Sequence, residues 1–262
     1  MPEEIKKVLI VALEGATRSD IQGVAQGGKL PCLQQLMAEG TTLLGLAADP
    51  SVGSSWASLA TGAHPSTHGV TREEACRAQY LWQAITKASK RALLLGFPAS
   101  ELPEGSDMHP EDLVKPKTRD GAYYEQAASY LLSSPDWDMA FVGLAAASTK
   151  LGEADEAIGK VFEAADIETL RVFVAVPAKA GDALAVLAGP GVLQGKTVGR
   201  PVELADLAPT ICYLAELPVP ADCEGGIVYQ AIADPDAKLF ELQDVRRNYE
   251  RLRRSTGRGP MC

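Results

Sequence analysis

The chain has 262 residues, of which 46% are hydrophobic and 23% charged, and its formal net charge is −9. That length suits one large α/β domain or two small ones, and the composition excludes disordered and fibrous classes. The negative balance argues against nucleic acid or an anionic membrane as a partner, and no run nears the roughly eighteen apolar residues of a membrane span.

Glu3 and Glu4 precede the first apolar run, where a secretory signal wants a basic start, so that run is predicted to be a core strand, Lys7–Leu13. A short helix over Leu33–Glu39 stops at Gly40, and a second over Ser54–Thr61 stops at Gly62. Gln79–Ser89 is helical and Arg91–Gly96 a strand. Residues 98–120, rich in Pro, Asp, Glu and Lys, are predicted to be a loop or small insertion. Then follow a helix at Gly121–Leu132, a strand at Asp138–Leu144, an amphipathic helix at Glu153–Ala165 and a strand at Leu170–Val176. Ala183–Ala188 is a further strand and Leu204–Leu217 a helix. Repeated β-then-α units predict an α/β fold with a mainly parallel sheet sandwiched by helices. Residues 1–235 form that domain, and 236–262 form a separate basic helical tail. In the tail Leu242, Val245, Tyr249 and Leu252 make an apolar stripe among Arg246, Arg247, Arg251, Arg253 and Arg254. The stripe either packs on its own domain or serves a homodimer or protein partner. Cysteines 32, 76, 212, 223 and 262 are scattered without a C-x-x-C pair, which predicts reduced thiols and a cytoplasmic location.

GPGVLQGKT, Gly189–Thr197, fails as a phosphate-binding P-loop. The residue at the required spacing before Gly195 is Pro190, and an extended segment follows instead of a helix.

Three stretches, in order, resemble the alkaline phosphatase superfamily and its type I phosphodiesterase/nucleotide pyrophosphatase branch. They are KVLIVALEGATRSDI at 7–21, PSVGSSWASLATGAHPSTHGV at 50–70, and LAGPGVLQGKTVGRPVELADLAPTICYLAELPVPADCEG at 187–225. The resemblance covers roughly residues 7–230 and implies an alkaline phosphatase-like fold. It also implies ester hydrolysis by two metal ions, usually zinc, with a Thr or Ser nucleophile. Two cations about 4 Å apart activate the nucleophile and neutralise the attacking and leaving oxygens, and each zinc needs about three protein ligands.

Carried over position by position, the family's first Asp falls on Glu14 and its nucleophile on Val52, which has no nucleophilic atom. Ser51, Gly53, Ser54 and Ser55 are its neighbours, so a displaced serine is an alternative. The next Asp and His fall on Ala145 and Thr149, and the Asp-His of the following strand on Pro177 and Ala178. The last His has no counterpart; Asp182 is the nearest polar residue. The chain has three histidines, His64, His68 and His109, and His68 matches a turn that is not a ligand in the family.

The bland readings stand beside these. Glu14 is either a leftover ligand or a strand-end residue facing water. Ser54 and Ser55 either cap their helix or bind a small anion at its N-terminus. His64 and His68 are expected to make structural hydrogen bonds in a turn, and Asp206 to sit at a helix start without chemistry. The leading expectation is a non-catalytic relative needing no cofactor. The rival is a hydrolase with a rebuilt site in which Glu14, Asp182 and a histidine hold one zinc or other divalent metal and Ser54 attacks.

Overall fold

Continuous apolar runs bury strands on both faces, and here they build the centre of one sheet. The computed structural model describes residues 5–47, 49, 51–71, 75–97, 113–114, 121–133, 136–145, 150–178, 181–236, 246–247 and 249–251. The strands are β1 (Lys7–Glu14), β2 (Thr41–Ala47), β3 (Ala92–Leu95), β4 (Leu113–Val114), β5 (Met139–Ala145), β6 (Thr169–Val176), β7 (Asp182–Ala188) and β8 (Lys196–Glu203). Their order across the sheet is β4-β3-β5-β1-β6-β7-β2-β8. All described pairings are parallel except those of β7, which runs against β6 and β2. Residues 177–181 alone join β6 to β7, and so short a link permits an antiparallel neighbour but no parallel crossover.

Side chains alternate along each strand and feed two cores. Val8, Ile10 and Ala12 of β1 face α3 (Val52–Thr61), α5 (Leu81–Lys87) and α8 (Leu207–Ala215). Leu9, Val11 and Leu13 face the opposite layer of α1 (Arg18–Gln26), α2 (Pro31–Glu39), α6 (Gly121–Ser133) and α7 (Leu151–Phe162). A single helical turn, α4 (Pro65–His68), follows α3.

Local chemistry sets the helix ends. Thr17 and Asp20 form a reciprocal capping box at α1. Ser51 caps α3 by accepting the Ser54 N–H, and Gly62 ends that helix in the left-handed region at φ 69°. The cap is therefore Ser51 and not Ser54 or Ser55, which lie inside the helix.

The strands β2, β4 and β8 and the helix α1 are additions to the sequence reading. Of the 98–120 segment, Leu113–Val114 is the described part, and it is an edge strand. His109 and Cys262 lie outside the described residues. So does most of the C-terminal tail, of which 246–247 and 249–251 are helical and exposed. Among the described residues no helix is long and apolar enough to cross a membrane.

Candidate functional site at the C-terminal ends of the strands

Parallel strands that end together gather their terminal residues at one edge of the sheet, where open α/β folds bind ligands. Glu14 ends β1 in register between Ala145 of β5 and Val176 of β6. Pro177 follows directly and is buried, whereas Ala178 is exposed. The chain thus brings Glu14, Ala145 and Pro177 together; Thr149 lies outside the described residues.

Glu14 does not face water freely. It is half-buried, and its Oε2 accepts the indole N–H of Trp56 at 3.2 Å. Trp56 is 1% exposed and packs edge-on to Phe97 and at a tilt to Phe141, which fixes α3 over the ends of β1 and β5. One turn earlier Val52, the first residue of α3, packs half-buried against the same core.

The serines of α3 are turned inward. Ser54 is 2% exposed and donates to Asp49 Oδ2 at 3.2 Å, and Ser55 Oγ accepts the Asp49 N–H at 3.0 Å. Ser58 donates to Asp49 Oδ2 at 2.6 Å and lies 3.0 Å from Nε2 of the fully buried His68. His68 Nδ1 accepts the Val70 N–H at 3.0 Å, so the neutral ring carries its proton on Nε2 and donates it to Ser58. The chain His68 to Ser58 to Asp49 therefore runs opposite to a nucleophile–base pair, because the serine receives from the histidine and donates to the carboxylate. Burial depresses the His68 pKa below its ordinary value, with Asp49 pulling the other way.

Asp49, Ser58, His64 and Glu203 line a polar cleft of about 230 Å³ beside the ends of β2 and β8. His64 Nδ1 is 3.2 Å from Glu203 Oε2, and its backbone N–H donates to Glu224 at 2.9 Å. Asp206 accepts the Glu203 N–H at 3.0 Å and the Gly226 N–H at 2.7 Å, which ties the start of α8 to a later loop. Asp182 opens β7, exposed, and pairs with Arg18, whose guanidinium also donates to Leu44 O at 2.6 Å. Sequence reasoning missed Asp49 and Arg18. The Asp-Pro dipeptide ahead of a helix was the signal for Asp49; nothing local marks Arg18.

These donors do not converge. Glu14 ends β1, whereas His64 pairs with Glu203 at the end of β8, four strand spacings or about 19 Å across the sheet. Among the described residues no three His, Cys, Asp or Glu side chains group as a metal site would.

The fold matches known structures over most of the chain. A phosphonate monoester hydrolase from Silicibacter pomeroyi superposes with a TM-score of 0.68 at 16% identity, covering 85% of this chain and 76% of that one. The fold is alkaline phosphatase-like. An alkaline phosphatase superfamily protein from Vibrio parahaemolyticus matches with a TM-score of 0.65 at 15% identity, over 89% of this chain and 72% of that one. Murine ectonucleotide pyrophosphatase/phosphodiesterase 5 matches with a TM-score of 0.64 at 8% identity, over 81% and 96%. No family model matches the chain, and no curated protein matches it in sequence. Of the positions onto which the resemblance carries the nucleophile and zinc ligands, Val52, Ala145, Pro177 and Ala178 have no side-chain lone pair for a cation. Glu14 is bonded to Trp56 and Asp182 to Arg18, so the set does not fit the zinc pair.

Proposed function

We propose that this protein is a non-catalytic relative of the ester hydrolases whose fold it shares, keeping that fold for ligand binding, assembly or regulation. The observation that carries the reading is Val52. It stands at the first position of α3, where the resemblance puts the nucleophile, and its side chain packs on the core. Of the neighbouring serines, Ser51 is engaged as the cap of α3, and Ser54 and Ser55 are buried and bonded to Asp49. Glu14 and Asp182, the carboxylates of the rebuilt-site rival, are already engaged with Trp56 and Arg18. In this reading the N-terminal end of α3 suits a small anionic ligand at this edge, with no metal or organic cofactor. A cytoplasmic setting and a partner for the basic tail belong to the same proposal.

The test is to purify the full chain, measure its metal content by elemental analysis, and assay phosphate mono- and diesters, phosphonate monoesters and sulfate esters. The expected result is no stoichiometric zinc and no turnover above buffer. About two metals per chain, or turnover abolished by Ser54→Ala, would replace this reading with the hydrolase one.

A further inference from the structure

The opposite edge of the sheet, where β6 begins and β7 ends, holds a second concavity. Arg171 pairs in register with Leu9, five residues before Glu14, which places it about 16 Å down the strands from the edge described above. The cavity measures about 520 Å³, within the range of small-molecule pockets. Pro190, Val192, Tyr213, Leu214 and Ile232 make its walls, and Ile167, 81% exposed, stands at its rim.

These walls are pre-formed. Val192 and Ile232 make an isolated antiparallel bridge, flanked by hydrogen bonds from Leu193 N–H to Ala231 O and from Ala233 N–H to Gly191 O, each 2.9 Å. The Tyr213 hydroxyl donates to Pro235 O at 2.8 Å, which holds α8 against the same loop. A ligand here meets a shaped surface and has little chain to order.

One ion pair supplies the polar part of the wall: Arg171 donates to Glu39 Oε2 at 2.7 Å. Gln35 and Arg171 together hold the Glu39 carboxyl below the usual carboxylate range, so it stays an acceptor. A guanidinium has five N–H groups, and among the described residues Glu39 is the partner of this one. The pair thus presents spare donors and spare acceptors side by side. An anion entering would face Glu39 and Asp234, and a cation reaching Glu39 would face the Arg171 guanidinium already paired with it. A neutral group that both accepts and donates faces no like charge.

From this geometry we propose a binding site for a small, uncharged aromatic compound carrying an amide- or lactam-type edge, its ring against Val192, Leu214 and Ile232 and its amide on the Arg171–Glu39 pair. This site is separate from the strand-end pocket, and its fate does not depend on whether that pocket is catalytic.

The experiment uses the full chain with labelled Ile, Leu and Val methyl groups, titrated with benzamide, benzoate and benzylamine, three probes of one size and three charges. Benzamide is expected to shift the methyl signals of Val192, Leu214 and Ile232, with the two charged probes roughly tenfold weaker. Ala233→Phe, on an exposed lining residue, fills the mouth and should abolish those shifts while the melting temperature holds. Arg171→Lys keeps the ion pair but loses the planar fork, and should weaken benzamide roughly tenfold while leaving the charged probes unchanged. Absence of benzamide shifts at these methyls, or unaltered binding in Ala233→Phe, overturns the site. Equal affinity for all three probes, or no effect of Arg171→Lys, overturns the ligand class.

Discussion

Replacing Asp155 by alanine should be among the most damaging single changes in this chain. Helix α2 begins with Pro31, which has no N–H, and no side chain of its own caps it. The caps come from α7: the fully buried Asp155 accepts the Cys32 N–H at 2.9 Å through Oδ2 and the Leu33 N–H at 2.8 Å through Oδ1, across more than 120 residues. Alanine leaves two donors unmatched, each costing roughly 1–3 kcal/mol, and removes a charge from the positive end of the helix, worth about another 0.3–1. The expected loss is about 4 kcal/mol, a large part of the roughly 5–15 that holds a domain folded. Asp155→Asn keeps the shape and one acceptor oxygen and should lose about half as much. Urea unfolding followed by tryptophan fluorescence gives both values by linear extrapolation. A loss below about 1 kcal/mol for the alanine variant at an unchanged slope would refute the remote-cap argument.

Three further outcomes follow from the same kind of accounting. His68 is neutral and buried, with its pKa depressed below the ordinary 6.5. The unfolded chain therefore binds its proton first, and stability should fall as pH drops below 6.5, by at most about 1.4 kcal/mol per pH unit from this group. In His68→Gln that part of the slope should vanish between pH 6.5 and 5, as read from chemical denaturation at each pH; an identical slope would exonerate the histidine. Trp56→Phe should cost more than Trp82→Phe, because the Trp56 N–H is bonded to Glu14 whereas the Trp82 N–H is a buried donor without a partner among the described residues. Melting temperatures in the reverse order would contradict it. Gly143→Ala should lower stability by about 1–3 kcal/mol or more, since the added methyl carbon would sit 2.4 Å from Gly96 O in the packed ends of β3 and β5; a wild-type melt would show that those strands can separate.

The parts of the fold legible in the chain were those whose cause is local. KVLIVAL, DMAFVGL and LRVFVAV read as strands because β1, β5 and β6 are covered on both faces and need no polar side. Strand β8 shows the opposite pattern, six exposed positions around Val198 and Val202 with a proline and a glycine among them, so its sequence reads as extended without marking a sheet strand. It is a strand because β2 offers it an edge to pair with. Reading the three apolar runs as parallel strands already put Glu14, Ala145 and Pro177 at neighbouring strand ends.

What the order of residues left open was settled by long-range contact. Periodicity could not tell that Glu14 is held by an indole 42 positions away, or that α2 is capped by Asp155 from 123 positions along the chain. The Arg171–Glu39 pair likewise joins residues 132 apart. Hydrophobic runs act through their own burial and announce themselves residue by residue. A hydrogen bond between distant side chains acquires its energy only once the sheet and its helices have brought donor and acceptor together, so it leaves no trace in either segment alone.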